Sequence, residues 1–176
     1  ACYLAKENGV NSLHVMDMKS EMFTKLHHEM DWISKIHDAL SQNLFTLYAQ
    51  KIESLKGQND HYEILIRMRS PQGELFYPDS FLPSAARYSL MPKIDVWVIE
   101  TLFKVIAKNE TLQKTTFAIN LSGQSLMKDS FENEVEELFR RYGINGAMII
   151  FEITETSAMS NFKRVTQFID HFKGIG

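Results

Sequence analysis

Tyr62-Glu63-Ile64-Leu65-Ile66-Arg67-Met68 has the pattern of a strand with two unlike faces. A period of two puts Tyr62, Ile64, Ile66 and Met68 on one side and Glu63, Leu65 and Arg67 on the other. An acid and a base therefore share a face with a leucine between them. At ~3.3 Å per residue their Cα atoms stand about 13 Å apart, so they reach two parts of one ligand more easily than each other. Two later stretches behave alike. In Phe117-Ala118-Ile119-Asn120-Leu121-Ser122, the small or polar residues Ala118, Asn120 and Ser122 share a face. In Ile149-Ile150-Phe151-Glu152-Ile153-Thr154-Glu155, Glu152 interrupts an otherwise apolar strand and Glu155 stands near its end. Glutamate is depleted in strands and rarely buried without a partner, so such placements call for an explanation. Glu63, Asn120 and Glu152 offer oxygen only, with no histidine or thiolate among them. That donor set suits a hard cation, Mg²⁺ or Mn²⁺, and disfavours zinc. Spacing alone leaves a second account open, in which Glu63 pairs with a lysine or arginine at a strand end, Asn120 is a turn residue and Glu152 is half exposed.

The surrounding order supplies the architecture. From residue 94 onward the pattern predicts a helix to 108, a strand over 116–121, a helix over 131–142, a strand over 148–154 and a helix over 161–172. This alternation suits parallel strands joined by crossover helices. No glycine-rich phosphate loop follows a strand, which favours a barrel, or part of one, over an open doubly wound sheet. Parallel barrels gather their functional groups at the carboxyl ends of the strands. Upstream, strands over 45–52 and 62–68 flank the turn Gly57-Gln58-Asn59-Asp60 and form a hairpin. Pro78, Pro83 and Pro92 punctuate short helical pieces after the turn at Ser70-Pro71-Gln72-Gly73. Over 20–41, Ser20 is a candidate N-cap, and Phe23, Leu26, Met30, Ile33, Ile36 and Leu40 form the apolar stripe of a helix placed to link two domains. A short helix from Tyr3 and a strand over 12–16 are expected before it.

Composition bounds the function. The chain has 176 residues, 44% hydrophobic and 23% charged, with one cysteine and a formal net charge of −3. That length buries a core without a disulfide or a structural metal. Cys2 has no partner in the chain, which excludes a disulfide scaffold and fits a reducing, cytoplasmic compartment. Mild acidity argues against binding long nucleic acid by counterion release, yet leaves room for one small anion carried by metal ions. No apolar run approaches the ~20 residues of a membrane span, and the opening residues lack the features of a signal peptide. His28-Glu29-Met30-Asp31-Trp32 begins like a zinc-protease helix but has tryptophan at the second histidine position. Asn8-Gly9 is a helix stop without a visible start, and a further strand is expected after Gly174, so the chain reads as a segment of a longer protein. A partial barrel has an unpaired strand edge and an open inner face, and is expected to form a homo-oligomer.

Tyr62-Glu63-Ile64-Leu65-Ile66-Arg67 resembles the signature of the EAL family of cyclic di-GMP phosphodiesterases, with isoleucine at the alanine position. The likeness continues through Phe81-Leu82-Pro83-Ser84-Ala85, Arg87-Tyr88-Ser89-Leu90-Met91, Ile94-Asp95-Val96-Trp97-Val98, Ile119-Asn120-Leu121-Ser122 and Phe151-Glu152-Ile153-Thr154-Glu155, in the family's order. Phe45-Thr46-Leu47-Tyr48-Ala49-Gln50 looks like the family's opening strand. Residues 1–19 look like the tail of a GGDEF domain, which leaves 20–41 as a linker helix and 42–176 as the N-terminal half of an EAL domain.

The resemblance implies an α/β fold, part of a (β/α)₈ barrel with one reversed strand. It implies binding of cyclic di-GMP across the strand ends and opening of one phosphodiester to linear pGpG by two-metal catalysis with Mg²⁺ or Mn²⁺. By motif position, Glu63, Asn120 and Glu152 would be metal ligands. Glu63, Glu152 and Glu155 would be the catalytic acids, with Glu155 steadying the loop after the following strand. Arg67 would hold a phosphate through its fork of donors, Gln50 would lie at the ligand pocket and Leu65 would line it. The chain stops before the family's Asp-Asp strand end, catalytic lysine and later glutamate and glutamine; a whole barrel runs to about 250 residues. The segment alone is therefore expected to be inactive while its parent, with room for an upstream sensor that anchors it at a membrane, hydrolyses cyclic di-GMP. The alternative is a receptor that binds cyclic di-GMP without cleaving it and signals through the 20–41 helix. Ile64 faces away from Glu63 and should affect packing, and Ala86 stands where many relatives carry an acid.

Overall fold

The computed structural model describes residues 21–53, 61–154 and 162–175. The opening helix and strand, the Ser20 cap, the GGDEF-like tail, the turn at 57–60 and Glu155 lie outside those residues. The described elements run α1 (Glu21–Gln42), β1 (Phe45–Ile52), β2 (His61–Arg69), β3 (Leu75–Phe76), α2 (Pro78–Arg87), α3 (Met91–Ala107), β4 (Thr116–Leu121), α4 (Gly123–Met127), α5 (Phe131–Tyr142), β5 (Ile149–Ile153) and α6 (Phe162–Lys173). One sheet holds all five strands in the order β1-β2-β4-β5, with β3 paired to β2. β1 is antiparallel to β2, whereas β2, β4 and β5 run parallel. This is an α/β fold with the layout of a partial barrel that opens on a reversed strand.

Crossover helices explain why the parallel strands are apolar on one side. Ile64 and Met68 of β2, and Phe117, Ile119 and Leu121 of β4, are buried. Facing them, α3 buries Ile94, Val98, Ile99, Leu102, Phe103 and Ile106. α5 is an amphipathic helix that buries Phe131, Val135, Leu138 and Phe139 and ends on Gly143, whose left-handed φ of +61° glycine adopts at less cost than a residue with a Cβ. Phe151 of β5 meets Phe139, Phe168 and Phe172 edge-on, with ring centroids 5.5–6.3 Å apart.

Three details depart from the sequence pattern. β3 is two residues long and pairs Phe76 with Met68, too short for any periodicity to announce it. α1 buries Trp32, Ile36 and Ala39, while Met30 is 57% exposed. At about 100° per residue, Met30 lies about 120° round the helix from Ile36, beyond the margin of the buried face, and Trp32 takes its place against Phe76. Val105 and Phe162 are likewise exposed at the margins of their stripes, at 45% and 74%.

Candidate functional site

Strand register assembles the site. Gln50 on β1 is opposite Glu63 on β2, and Glu63 is opposite Ala118 on β4. Ala118 is opposite Ile150 on β5, and Asn120 is opposite Glu152. Opposed residues share a face, and residues two apart on a strand share it too. Gln50, Glu63, Leu65, Arg67, Asn120 and Glu152 therefore all lie on the face turned away from the helices. Asn120 and Glu152 are exposed on it, and Glu63 and Leu65 are half-buried.

A hydrogen bond joins two of these residues across strands. Asn120 Nδ2 donates to Glu63 Oε1 at 2.8 Å. Asn120 is a strand residue rather than a turn residue, and it fixes the orientation of Glu63 across the β2–β4 pair. Once its amide nitrogen is committed, its Oδ1 is the atom left to accept. Two carboxylates and an amide oxygen from three adjacent strands make an all-oxygen donor set, which fits Mg²⁺ or Mn²⁺. The described residues contain no group of three His, Cys, Asp or Glu side chains able to hold a metal, so a cation here would need the Asn120 oxygen.

Arg67 projects from the same face nearer the carboxyl end of β2. One guanidinium nitrogen donates to the Ile66 carbonyl at 2.8 Å. The guanidinium carbon lies 5.5 Å from the Tyr48 ring centre and 5.0 Å from that of Tyr77. Two aromatic faces thus hold the cation in place. An arginine has five N–H donors, so the single backbone bond leaves its fork able to take an anion.

A cleft of about 620 Å³ opens beyond the ends of β4 and β5, lined in part by Asp79, Leu82, Ala86, Ser122, Gln124 and Thr154. A smaller cavity of about 270 Å³ beside it reaches Leu65, Asp95 and Asn120. Gln124 Nε2 donates to the Ala86 carbonyl and ties α4 to α2. Its Oε1 is buried without a hydrogen-bond partner, an acceptor suited to a donor on a ligand.

Under the cleft, Asp95 of α3 is only 4% exposed. Its Oδ2 accepts from the Ser122 amide at 2.9 Å and from Ser125 Oγ at 2.6 Å. Burial pushes its carboxyl above the ordinary value, and the serine bonds offset part of that rise.

The structure thus gathers six of the seven residues singled out from the sequence on one face; Glu155 is outside the described residues. Sequence reasoning missed Tyr48, Tyr77, Asp95 and Gln124. Tyr48 was legible, since it is in phase with Gln50, and Asp95 is an acid inside an apolar helix. Tyr77 precedes α2 and Gln124 sits in a five-residue helix, where no periodicity marks them.

Known proteins resemble this chain in sequence and in fold. The chain is 36% identical over 169 residues to the cyclic di-GMP phosphodiesterase PdeF of Escherichia coli K12, which covers 94% of the chain and 22% of that protein. It is 32% identical over 179 residues to the cyclic di-GMP phosphodiesterase PdeB of Shewanella oneidensis, covering 100% of the chain and 21% of that protein. The chain thus spans about a fifth of the length of these curated relatives. Among solved structures, the FimX EAL domain of Pseudomonas aeruginosa bound to c-di-GMP superposes with a TM-score of 0.76 at 30% identity, over 82% of this chain and 58% of that one. The model of the EAL domain matches residues 33–176, and the chain belongs to the EAL domain family.

Proposed function

We propose that this stretch supplies the N-terminal half of a cyclic di-GMP phosphodiesterase, hydrolysing one phosphodiester to linear pGpG with Mg²⁺ or Mn²⁺. The observation that carries the proposal is the bond from Asn120 to Glu63 at 2.8 Å, with Glu152 in register beside it and Arg67 farther along the same face. In this reading Glu63, Asn120 and Glu152 hold the metal, and Glu155 steadies the loop after the following strand. When bound, the cations would lower the pKa of a water and offset charge on the phosphoryl oxygens. Arg67, steadied between Tyr48 and Tyr77, grips a phosphate of the dinucleotide. Leu65 and Gln50 lie against the bound ligand, and the cleft at Gln124 and Asp79 takes a polar edge of it. The protein works in the cytoplasm, and residues 1–19 and 20–41 serve as the end of a GGDEF domain and the helix that leads from it.

The relatives named for this activity support the reading, as do oxygen donors gathered from three strands. A receptor that binds cyclic di-GMP without cleaving it is the second reading, favoured by the likeness to a FimX EAL domain whose structure holds c-di-GMP. Turnover of cyclic di-GMP by the full-length protein with Mn²⁺ decides between them. Hydrolysis is expected in the unmutated protein, with a loss of more than about 100-fold in Glu63→Ala, since even residues that only support metal ligands are worth 10–100-fold. Binding without turnover in the unmutated protein would favour the receptor, and neither binding nor turnover would reject both.

A further inference from the structure

We propose that Asp95 is a positioning residue for the metal site: its buried carboxylate grips the end of β4 and so sets where Asn120 stands. This rests on the metal-dependent reading of Asn120 and Glu63. The carboxylate belongs to α3, packed among the buried residues Ile94, Val98 and Ile99 of that helix. Such a position would take a hydrophobic side chain at less cost, because burying a carboxylate is unfavourable unless bonds repay it.

The bonds it makes all go to one corner. Ser122 is both the residue after β4 and the N-cap of α4, where its Oγ accepts from the Ser125 amide at 3.2 Å. Asp95 takes the Ser122 amide with one lone pair of Oδ2 and the Ser125 hydroxyl with another, at 2.9 and 2.6 Å. The two serine hydroxyls lie 3.0 Å apart and close the ring of contacts. Ser125 is itself fully buried.

Two residues before that corner, Asn120 points to the opposite face from Leu121, which is 3% exposed. Holding the Ser122 amide fixes the height and pleat phase of the strand end, and with them the reach of Asn120 to Glu63. A site of this kind loses affinity when its supporting groups leave a ligand loose. Asp95 touches neither metal nor substrate in this account. It acts through the backbone of Ser122.

The test compares Asp95→Ala, Asp95→Asn and Ser125→Ala in the full-length protein, with Mn²⁺ as the probe. Mn²⁺ binding is followed by electron paramagnetic resonance, and half-saturation by Mn²⁺ is followed in turnover. Asp95→Ala should raise the half-saturating Mn²⁺ concentration by about tenfold or more, the size typical of lost support for a ligand, with the KM for cyclic di-GMP changed much less. Asp95→Asn should stay near the unmutated protein, because its single amide oxygen can accept both bonds. Ser125→Ala should fall between them. A folded Asp95→Ala with unchanged Mn²⁺ half-saturation, or an Asp95→Asn as impaired as Asp95→Ala, would overturn the proposal. Where Asp95→Ala does not fold, Ser125→Ala decides, and unchanged Mn²⁺ binding there overturns it. Failure of the metal reading itself shows as absent Mn²⁺ binding in the unmutated protein, and the proposal falls with it.

Discussion

Asn120 and Glu63 show why a motif can be read from sequence while its support cannot. The period of two placed each on a named face of its own strand, and the strand register is what brings those two faces together. Asp95 gave a comparable signal, an acid in the helix Met91–Ala107 that is otherwise buried along one side. Its partners, however, are a backbone amide and a serine 27 and 30 residues away, contacts that no local pattern encodes. Burial makes a prediction at this position. Because the folded carboxyl titrates above its ordinary value of 3.8, the folded state holds more protons than the unfolded one between the two values. Stability then falls as pH rises through that window and stays lower above it. Asn cannot ionise, so Asp95→Asn should gain thermal stability relative to the unmutated protein as pH rises from about 3 towards 7, starting below the usual aspartate range. A difference in midpoint that does not change with pH would contradict the assigned cause.

Helix α1 raises a related question about whole elements. Its existence followed from apolar spacing, but its orientation did not, because Ile33, Ile36 and Leu40 are compatible with a buried face centred on either side. Tertiary packing chose the side of Trp32. That ring is 7% exposed and meets Phe76 edge-on at 5.1 Å, while the Lys35 ammonium sits 4.6 Å from the Trp32 ring centre. Glu29 accepts from Arg87 at 2.7 Å and joins α1 to α2, whose Leu82 and Ala86 wall the cleft. The helix is thus packed onto the barrel rather than merely leading into it. Trp32→Ala should cost about 3–5 kcal/mol, the usual price of emptying a large aromatic site. For a domain of this size that lowers the melting midpoint by roughly 10 °C. Met30→Ala, at an exposed position two residues away, should stay within about 0.5 kcal/mol. Equal melting temperatures for the two variants would show that α1 is not docked as described.

The molecule as a whole has one well-covered face and one open one. Helices cover the apolar side of the sheet, whereas the side carrying Glu63, Asn120 and Glu152 also exposes Tyr48 and Ile150, at 43% and 39%. Among the described residues β5 pairs with β4 alone, so its other edge offers free backbone donors and acceptors. Beside that edge runs a groove of about 310 Å³, lined by Phe139, Ile149, Ile153, Phe168, Phe172 and Ile175. A parallel strand edge next to an apolar groove is a template for another strand, and in a solution of this chain alone the available strand is the same edge of a second copy. Pairing of two such edges about a two-fold axis would bring the two grooves together and cover Ile153 and Ile175. The 176-residue chain on its own should therefore sediment as a dimer or larger species, with the proportion rising with concentration. Replacing Ile153 by lysine places a charge in the groove and should shift the distribution towards monomer, since charged residues are what natural edge strands use to prevent such pairing. Sedimentation of the unmutated chain as a compact monomer across a hundredfold range of concentration would remove the edge and its groove as the cause of association.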